Sequence, residues 1–390
     1  MASVENFRQL LKPLIFYSKP LGIEMWTAPG KFKPASYHMV LEMIIYLIST
    51  ITTVIKYRND RMHMMKVLVT LGTAFQSPLQ LFIKFFVSHS KANEVKQLTD
   101  KIEQDILERF QKGTMEEVAV LDRAGRYLWI IFRVMRVICI STAVAFMSYP
   151  IFAYCTTSQI LPLFLHELPY FDYSTMTGYA VNMAFQLNLT VNGVMGVMLS
   201  DFLFLVFAMY AMVVADILIV HLGELEAMLN DPMKDDTKRS EVREKWVQCM
   251  YDHQQSTSFL NIIEDIFGLQ CLAQVVMGVF TICDCMLLVA LTDWYPTYCF
   301  LLVMFTELTI YFIIGHIIEL KIDEVYHKII SMPWYKLPVK EQKEFCFLVS
   351  RQQRPMMLTA FGFHPMNFEA YMSVLKGLYQ FFVMVMQYVA

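Results

Sequence analysis

Long apolar runs separated by charged segments dominate the chain. Seven of these runs are long enough to cross a bilayer, which takes about 20 helical residues. They cover residues 37–55, 65–87, 128–152, part of 173–215, 266–291, 297–318 and 368–390. The fourth run exceeds one crossing, so we expect its helix to project beyond the membrane toward Leu229. The pattern predicts an all-α, seven-transmembrane helical membrane protein.

The last apolar run, residues 368–390, carries its polar positions at regular spacing. Steps of three, four and seven residues place them on one face of a helix. The positions are Ser373, Lys376, Gly377, Gln380, Met384 and Gln387. A polar face on a spanning helix should meet protein or water rather than lipid. Two interpretations fit: hydrogen bonds that hold a helix bundle together, or the wall of a pore shared by several subunits.

Composition supports the membrane class. Of the 390 residues, 56% are hydrophobic and 17% are charged, whereas soluble domains contain about 25% charged residues. The net charge of −3 gives no indication of nucleic-acid binding. Near the amino terminus, helical spacing of apolar residues predicts a short amphipathic helix and not a signal peptide, so an internal span should direct insertion. Those residues are Phe7, Leu10, Leu11, Leu14 and Ile15.

The distribution of lysine and arginine predicts the orientation. Of the 32 such residues, 24 lie in the amino-terminal segment and the loops after the second, fourth and sixth spans. The alternate loops hold four, all between the first two spans. Cytoplasmic loops carry the excess of positive charge. We therefore expect a cytoplasmic amino terminus and an extracellular carboxyl terminus, which is opposite to a G-protein-coupled receptor.

The loops on the positive side have helical character. Residues 235–264 are rich in charge, and residues 336–359 mix charges with apolar side chains. Because Trp246, Phe345 and Phe347 should be buried, we expect a cytoplasmic helical anchor module rather than separate solvated loops.

Motifs for catalysis or cofactors are missing from the sequence. There is no Walker loop, no His-Glu-x-x-His and no Gly-x-Ser-x-Gly. The eight cysteines do not form a disulfide framework, and Cys283-Asp284-Cys285 is better explained by packing within a membrane helix than by metal binding. The sequon at Asn188 lies inside the fourth span and is discounted. We expect neither an enzyme nor a bound cofactor.

The carboxyl-terminal part carries several distinctive segments. They are Tyr311-Phe312-Ile313-Ile314-Gly315-His316, Pro333-Trp334-Tyr335-Lys336-Leu337-Pro338, Arg354-Pro355-Met356-Met357-Leu358-Thr359-Ala360, and Phe368 to Tyr379 with Ser373-Val374-Leu375-Lys376. In these segments the chain resembles the insect odorant receptor family. The short loop between spans four and five departs from the family's co-receptor, which has a long insertion there. The chain is therefore identified as a ligand-tuning subunit.

The resemblance implies a function and an assembly. It implies a tetrameric, odorant-gated, non-selective cation channel formed with the co-receptor in the plasma membrane of olfactory sensory neurons. The seventh helices of such a channel line the pore, and here the gate would fall on Met384, with Gln387 beside it and Gln380 deeper. The implied domains are a transmembrane bundle (1–320), anchor helices (321–367) and the pore-lining helix (368–390).

The resemblance also implies an odorant pocket in the outer half of the bundle. An apolar, aromatic-lined cavity suits a small volatile ligand, and aromatic and methionine side chains favour an aromatic one. The alternative for each residue is simple packing within the bundle. The matching positions are Phe75, Leu79, Thr142, Ala145, Phe146, Tyr149, Met195, Met198, Tyr295 and Tyr298.

A competing function class is a metabotropic seven-helix receptor or a transporter. A transporter often contains internal repeats, and none relates the two halves of the sequence. The Asp-Arg-Tyr and Asn-Pro-x-x-Tyr motifs of metabotropic receptors do not occur at spans three and seven.

Overall fold

A computed structural model describes residues 2–22, 33–57, 79, 82–87, 89–158, 161–164, 166–231, 236–291, 295–354 and 357–389. Within these ranges the chain is helical, with one isolated β-bridge between Thr359 and Pro365. The helices are α1 (Ala2–Leu21), α2 (Pro34–Tyr57), α3 (Ala92–Lys112), α4 (Met115–Thr157), α5 (Met176–Asn230), α6 (Asp236–Leu291), α7 (Pro296–Ser331), a 3₁₀ turn (Trp334–Lys336), α8 (Val339–Gln352) and α9 (Phe368–Val389).

The apolar runs predicted to span a membrane coincide with long helices. Five helices in the described ranges are long and apolar enough to cross, namely α2, α4, α5, α6 and α7. Most of the predicted second span lies outside the described residues, although residues 82–87 are helical. Helix α9 has sufficient length at 22 residues, but its polar positions lower its hydropathy and it is not among the five.

Helix α5 forms the centre of the bundle. In its most apolar window 78% of the residues are buried, against 22% for α4. Its 55 residues extend about 80 Å at roughly 1.5 Å per residue, which is far more than a bilayer core of about 30 Å. The helix therefore continues beyond the membrane to Asn230, as the length of its apolar run predicts. Helix α6 has 56 residues and likewise joins the charged segment to the fifth span without a break.

A second, separate core lies at the charged ends of α5, α6 and α7. Trp246 is fully buried there, and Phe345 from α8 is buried at its edge. The Trp246 indole N–H donates to Glu344 at 2.7 Å, and Arg243 binds the same carboxylate at 2.6 Å. These contacts support the expected module of packed helices. The expectation for Phe347 is wrong, because its side chain lies on the outer face of α8 and is 70% exposed.

Candidate functional site: an apolar cavity and the last helix

A cavity of about 150 Å³ lies between α4, α5 and the first turns of α7. Its walls are mainly apolar, with three phenylalanine rings from three different segments. Phe146 and Phe300 pack edge to face with 5.0 Å between ring centroids, and Phe164 lies 5.2 Å from Phe146. The lining residues are Cys139, Thr142, Ala143, Phe146, Phe164, Leu189, Thr190, Gly193, Val194, Val197, Cys299, Phe300, Val303, Met304 and Glu307.

The loop between α4 and α5 contributes to the cavity wall through Phe164. This loop is fixed to the bundle by side chains of α5. The Gln186 side chain accepts from the Phe164 N–H at 3.0 Å and donates to the carbonyls of Phe164 and His166 at 3.2 and 3.1 Å. Asn182 accepts from the Leu168 N–H at 2.7 Å and donates to the Phe171 carbonyl at 2.8 Å. The loop therefore forms part of the cavity wall and is held there by hydrogen bonds to α5.

A buried histidine belongs to the same loop. His166 is fully buried and packs edge to face against Tyr46, with 5.0 Å between ring centroids. Burial lowers the pKa of His166 to about 3, because an imidazolium would lose its hydration there. The imidazole is therefore neutral at physiological pH and acts as an aromatic packing element.

Charged side chains gather around Glu307, which belongs to the cavity wall. The Lys84 ammonium lies 2.5 Å from an oxygen of Asp201 and 3.8 Å from one of Glu307. The Tyr311 hydroxyl donates to the same Asp201 oxygen at 2.8 Å, and the Gln274 amide donates to Glu307 at 3.0 Å. All three ionisable side chains are at most 2% exposed. Charges buried inside a bundle this deeply are rare and usually functional or strongly paired.

The structure places the predicted pocket residues in several environments. Thr142 and Phe146 line the cavity. Met198 belongs to the bundle core, Met195 packs against it, Tyr149 is half-buried and Ala145 is exposed. Leu79 is half-buried, and Phe75 lies outside the described residues.

Tyr295 and Tyr298 do not line the cavity. They are 62% and 55% exposed. Tyr295 is the N-cap residue of α7, and Tyr298 precedes Cys299 by one residue, which directs its side chain about 100° away from that position of the wall.

Several lining residues were not predicted from the sequence. Phe164 comes from a loop, and nothing in its local sequence indicates that it returns to the bundle. Gly193 and Val197 of α5 are four residues apart and face the cavity, but both faces of this helix are apolar. Glu307 is the one position with a visible signal, since it interrupts the apolar run of α7.

The polar face of α9 points away from the other helices. Ser373, Lys376, Gln380 and Gln387 are exposed, and Met384 is 46% exposed. The opposite face is buried through Leu378 and Val385. Helix α9 packs on α6 and α7, so its glutamines lie on the surface of the single chain.

A tight turn attaches α9 to α6 and α7. The Thr359 N–H donates to Glu264 of α6 at 2.8 Å. Met366 lies directly against Gly315 of α7, where a Cβ atom would come within 2.0 Å of the Met366 carbonyl oxygen. Beyond the turn, the Tyr371 and Thr309 hydroxyls are 2.7 Å apart. The start of α9 is therefore held by backbone contact and hydrogen bonds.

Comparison with known proteins gives concordant matches. A family model described as 7tm Odorant receptor matches residues 62–379. The putative odorant receptor 83c of Drosophila melanogaster is 30% identical over 91 residues, which are 23% of this chain and 23% of that protein. The chain thus covers less than a quarter of the length of this curated relative.

Two solved structures of the olfactory receptor OR5 from the insect Machilis hrabei share the fold. The structure in complex with eugenol has a TM-score of 0.74, 12% identity, and coverage of 99% of this chain and 100% of that one. The other structure has a TM-score of 0.73 and 12% identity, and the match covers 98% of this chain and 99% of that one. At this identity the likeness shows the fold alone.

The family match extends over most of the chain, and the structural likeness extends over nearly all of it. Together they confirm the resemblance found in the carboxyl-terminal motifs, and they agree with a multi-pass, all-helical membrane protein that is a receptor and not an enzyme. The chain belongs to the 7tm odorant receptor family.

Proposed function

We propose that this chain is the ligand-binding subunit of an odorant-gated, non-selective cation channel and that the cavity beside Phe146 holds the odorant. A small volatile molecule needs a mainly apolar site of modest volume, and this cavity has those properties. The complex of the Machilis hrabei receptor with eugenol supports an aromatic volatile as the kind of ligand.

The observation that carries the proposal is the double role of α7. Its first turns line the cavity through Phe300, Met304 and Glu307. Its later turns contact the start of α9, where the rings of Phe312 and Tyr371 stack with centroids 5.2 Å apart. A ligand that favours one position of α7 therefore biases the position of α9. The ligand shifts this equilibrium only by its difference in affinity for the two states.

The exposed face of α9 supports a pore at a subunit interface. Glutamine side chains facing hydrocarbon would lose hydrogen bonds, which costs several kcal/mol by order of magnitude. Around a central axis, Gln380 and Gln387 would instead face water, and Met384 would form an apolar constriction that gates by dewetting.

The proposed assembly is a heterotetramer with the odorant co-receptor in the plasma membrane of olfactory sensory neurons. Its proposed division is a bundle (1–320), cytoplasmic anchor helices (321–367) and a pore helix (368–390). In the separate core around Trp246, residues of 321–367 pack against the ends of α5 and α6, which supports an anchor at that end of the bundle.

Filling the cavity tests the proposal. A Cβ atom on Gly193 would meet open space, so Gly193→Leu places its side chain in the cavity without a backbone clash. We expect the odorant-evoked current to fall at least about tenfold when the chain is co-expressed with the co-receptor, because the ligand loses its volume. Whole-cell recording at matched surface expression measures this.

Gly125→Leu is the matched control, since a Cβ there also meets open space but Gly125 does not line the cavity. Its evoked current should equal the wild-type current. Equal responses from both variants would contradict the assignment of the cavity. An evoked current that requires a G protein and not the co-receptor would contradict the proposal that the chain is a channel subunit.

The pore face is tested separately by cysteine accessibility. Gln380→Cys should react with a charged, water-soluble thiol reagent and lose most of its current, because a thiolate forms only where water reaches. Leu378→Cys is the control, since Leu378 is buried against its own subunit. Equal reaction rates at the two positions, or no reaction at Gln380→Cys, would reject the pore assignment.

A further inference from the structure

A second cleft lies on the cytoplasmic side, where α5, α6, α7 and the end of α8 meet. Within the described residues its wall contains two arginines and no carboxylate, so its balance of charge is positive. Its polar lining residues are His253, Ser256, Thr257, Arg351, Gln352 and Arg354.

The two arginines are not neutralised by acidic side chains. Arg351 in the last turn of α8 and Arg354 shortly after it are exposed, and neither has an acidic partner among the described residues. By contrast, Lys321 and Lys328 near the same end of α7 each bind a carboxylate of α5 at 2.7 Å. Guanidinium groups bind phosphate through paired hydrogen bonds. Two uncompensated guanidinium groups at one cleft therefore favour a phosphate group.

Neutral polar groups form the buried part of the wall. Ser256 is 9% exposed, and within the part of the chain that the structure describes its hydroxyl has no hydrogen-bond partner. An oxygen of an anion in the cleft could accept from this hydroxyl, which would otherwise stay unsatisfied.

A histidine beside Ser256 reports the charge of the cleft. The His253 Nε2 atom lies 2.8 Å from the amide oxygen of Gln352. Burial lowers the pKa of His253; the hydrogen bond to Gln352 opposes this, and the positive charge of Arg351 adds to the lowering. The charge of Arg351 therefore acts on the buried wall as well as on the solvent.

The volume of the cleft limits what can enter it. It measures about 30 Å³, which is room for about two water molecules at roughly 10–15 Å³ each. This suits a single phosphate group whose parent molecule remains outside, and it is too small for an aromatic ring.

We propose that this cleft binds a phosphate monoester group on the cytoplasmic side, held by Arg351 and Arg354 with the Ser256 hydroxyl as a further donor. The headgroup of an inner-leaflet phosphoinositide and a soluble inositol phosphate both present this group. Arg354 lies shortly before Thr359, whose N–H donates to Glu264 in the turn that holds α9. A bound phosphate would therefore fix the segment that leads into this turn.

The experiment measures binding to the full chain in detergent by the rise in its melting temperature. The probes are dioctanoyl phosphatidylinositol bisphosphate, inositol trisphosphate and, as a ligand without a phosphate monoester, dioctanoyl phosphatidylcholine. The first two should raise the melting temperature saturably, and the third should leave it unchanged. Tighter binding of the lipid than of the inositol phosphate would identify the membrane as the source, and equal or weaker binding would identify a soluble source.

Charge-removing variants locate the site. Arg351→Gln combined with Arg354→Gln should weaken binding at least about tenfold, because charge-assisted hydrogen bonds are lost. Ser256→Ala should weaken it about fivefold. The matched control is Arg123→Gln combined with Arg126→Gln, which removes two charges from exposed arginines of α4 that do not line the cleft and have no acidic partner among the described residues.

An equal loss of affinity in the two double variants would mean general attraction between charges and would overturn the inference. The inference would also fail if neither phosphorylated probe raised the melting temperature, or if phosphatidylcholine raised it equally. Binding to the chain alone that disappears in its complex with the co-receptor would show that the arginines belong to a subunit contact instead. No odorant enters the measurement, so its outcome is independent of the proposed function.

Discussion

Lys84→Met should prevent most of the chain from accumulating as a folded receptor. The substitution keeps an unbranched side chain of similar length but removes the cation between Asp201 and Glu307, whose carboxylates are both buried. Removing one partner of a buried ion pair costs about 3–5 kcal/mol, because the remaining charge has neither water nor a counter-ion. Thermal unfolding of the detergent-solubilised protein and its fraction at the cell surface would both measure the loss.

Lys91→Met is the matched control for this prediction. Lys91 pairs with Glu94 at 3.2 Å and Asp265 at 2.8 Å, but all three side chains reach solvent. Exposed pairs contribute only about 0–1 kcal/mol, so this variant should unfold close to the wild-type temperature.

A combined variant tests the physical cause. Lys84→Met together with Asp201→Asn and Glu307→Gln removes all three charges and should recover much of the lost stability. Equal melting temperatures for Lys84→Met and Lys91→Met would show that the buried cluster does not stabilise the bundle.

Gly315→Ala should have the second large effect, on the connection between the bundle and α9. The added Cβ atom would lie 2.0 Å from the carbonyl oxygen of Met366 and 2.6 Å from its Cβ atom. The obstacle is largely backbone, so the turn that carries α9 must move away from α7. We expect the evoked current to fall at least about tenfold at matched surface expression, because a displaced α9 no longer follows α7.

Gly278→Ala is the corresponding control on α6. Its Cβ atom would lie 3.8 Å from Leu308, which is ordinary van der Waals contact. Alanine in a helix interior is favoured over glycine by up to about 1 kcal/mol, so current and stability should be retained or slightly improved. A normal evoked current in Gly315→Ala would mean that this contact does not transmit the response.

The sequence determined the elements of this protein. Apolar runs of about 20 residues or more can be stable as spanning helices whatever surrounds them, because a helix satisfies its own backbone hydrogen bonds. For that reason the positions of α2, α4, α5, α6 and α7 follow from hydropathy. The polar face of α9 followed from its spacing alone, and the structure places that face on the outside of the chain. The isolated charges Glu42, Lys84, Asp201 and Glu307 were also visible as interruptions of apolar runs.

The tertiary structure decided which of these charges meet. Lys84 and Asp201 are 117 residues apart in the chain, and Glu42 accepts hydrogen bonds from Asn188 and Asn192 on α5. On α5, His221 lies between Glu117 and Asp252, with each ring nitrogen 2.6 Å from a carboxylate oxygen. The pattern of apolar and polar residues along the sequence does not predict such contacts, since they depend on how the helices are rotated and offset when they pack.

The lining of the cavity was likewise a matter of packing. Phe146 and Thr142 lie on the wall, whereas Tyr295 at the N-cap of α7 and Tyr298 in its first turn remain exposed. Phe164 belongs to a loop, whose sequence has no helical periodicity from which its position could be predicted. The sequence therefore defined which segments cross the membrane and where polar side chains interrupt them. Only the packing of the helices decided the cavity, because a cavity lies between elements and belongs to none of them.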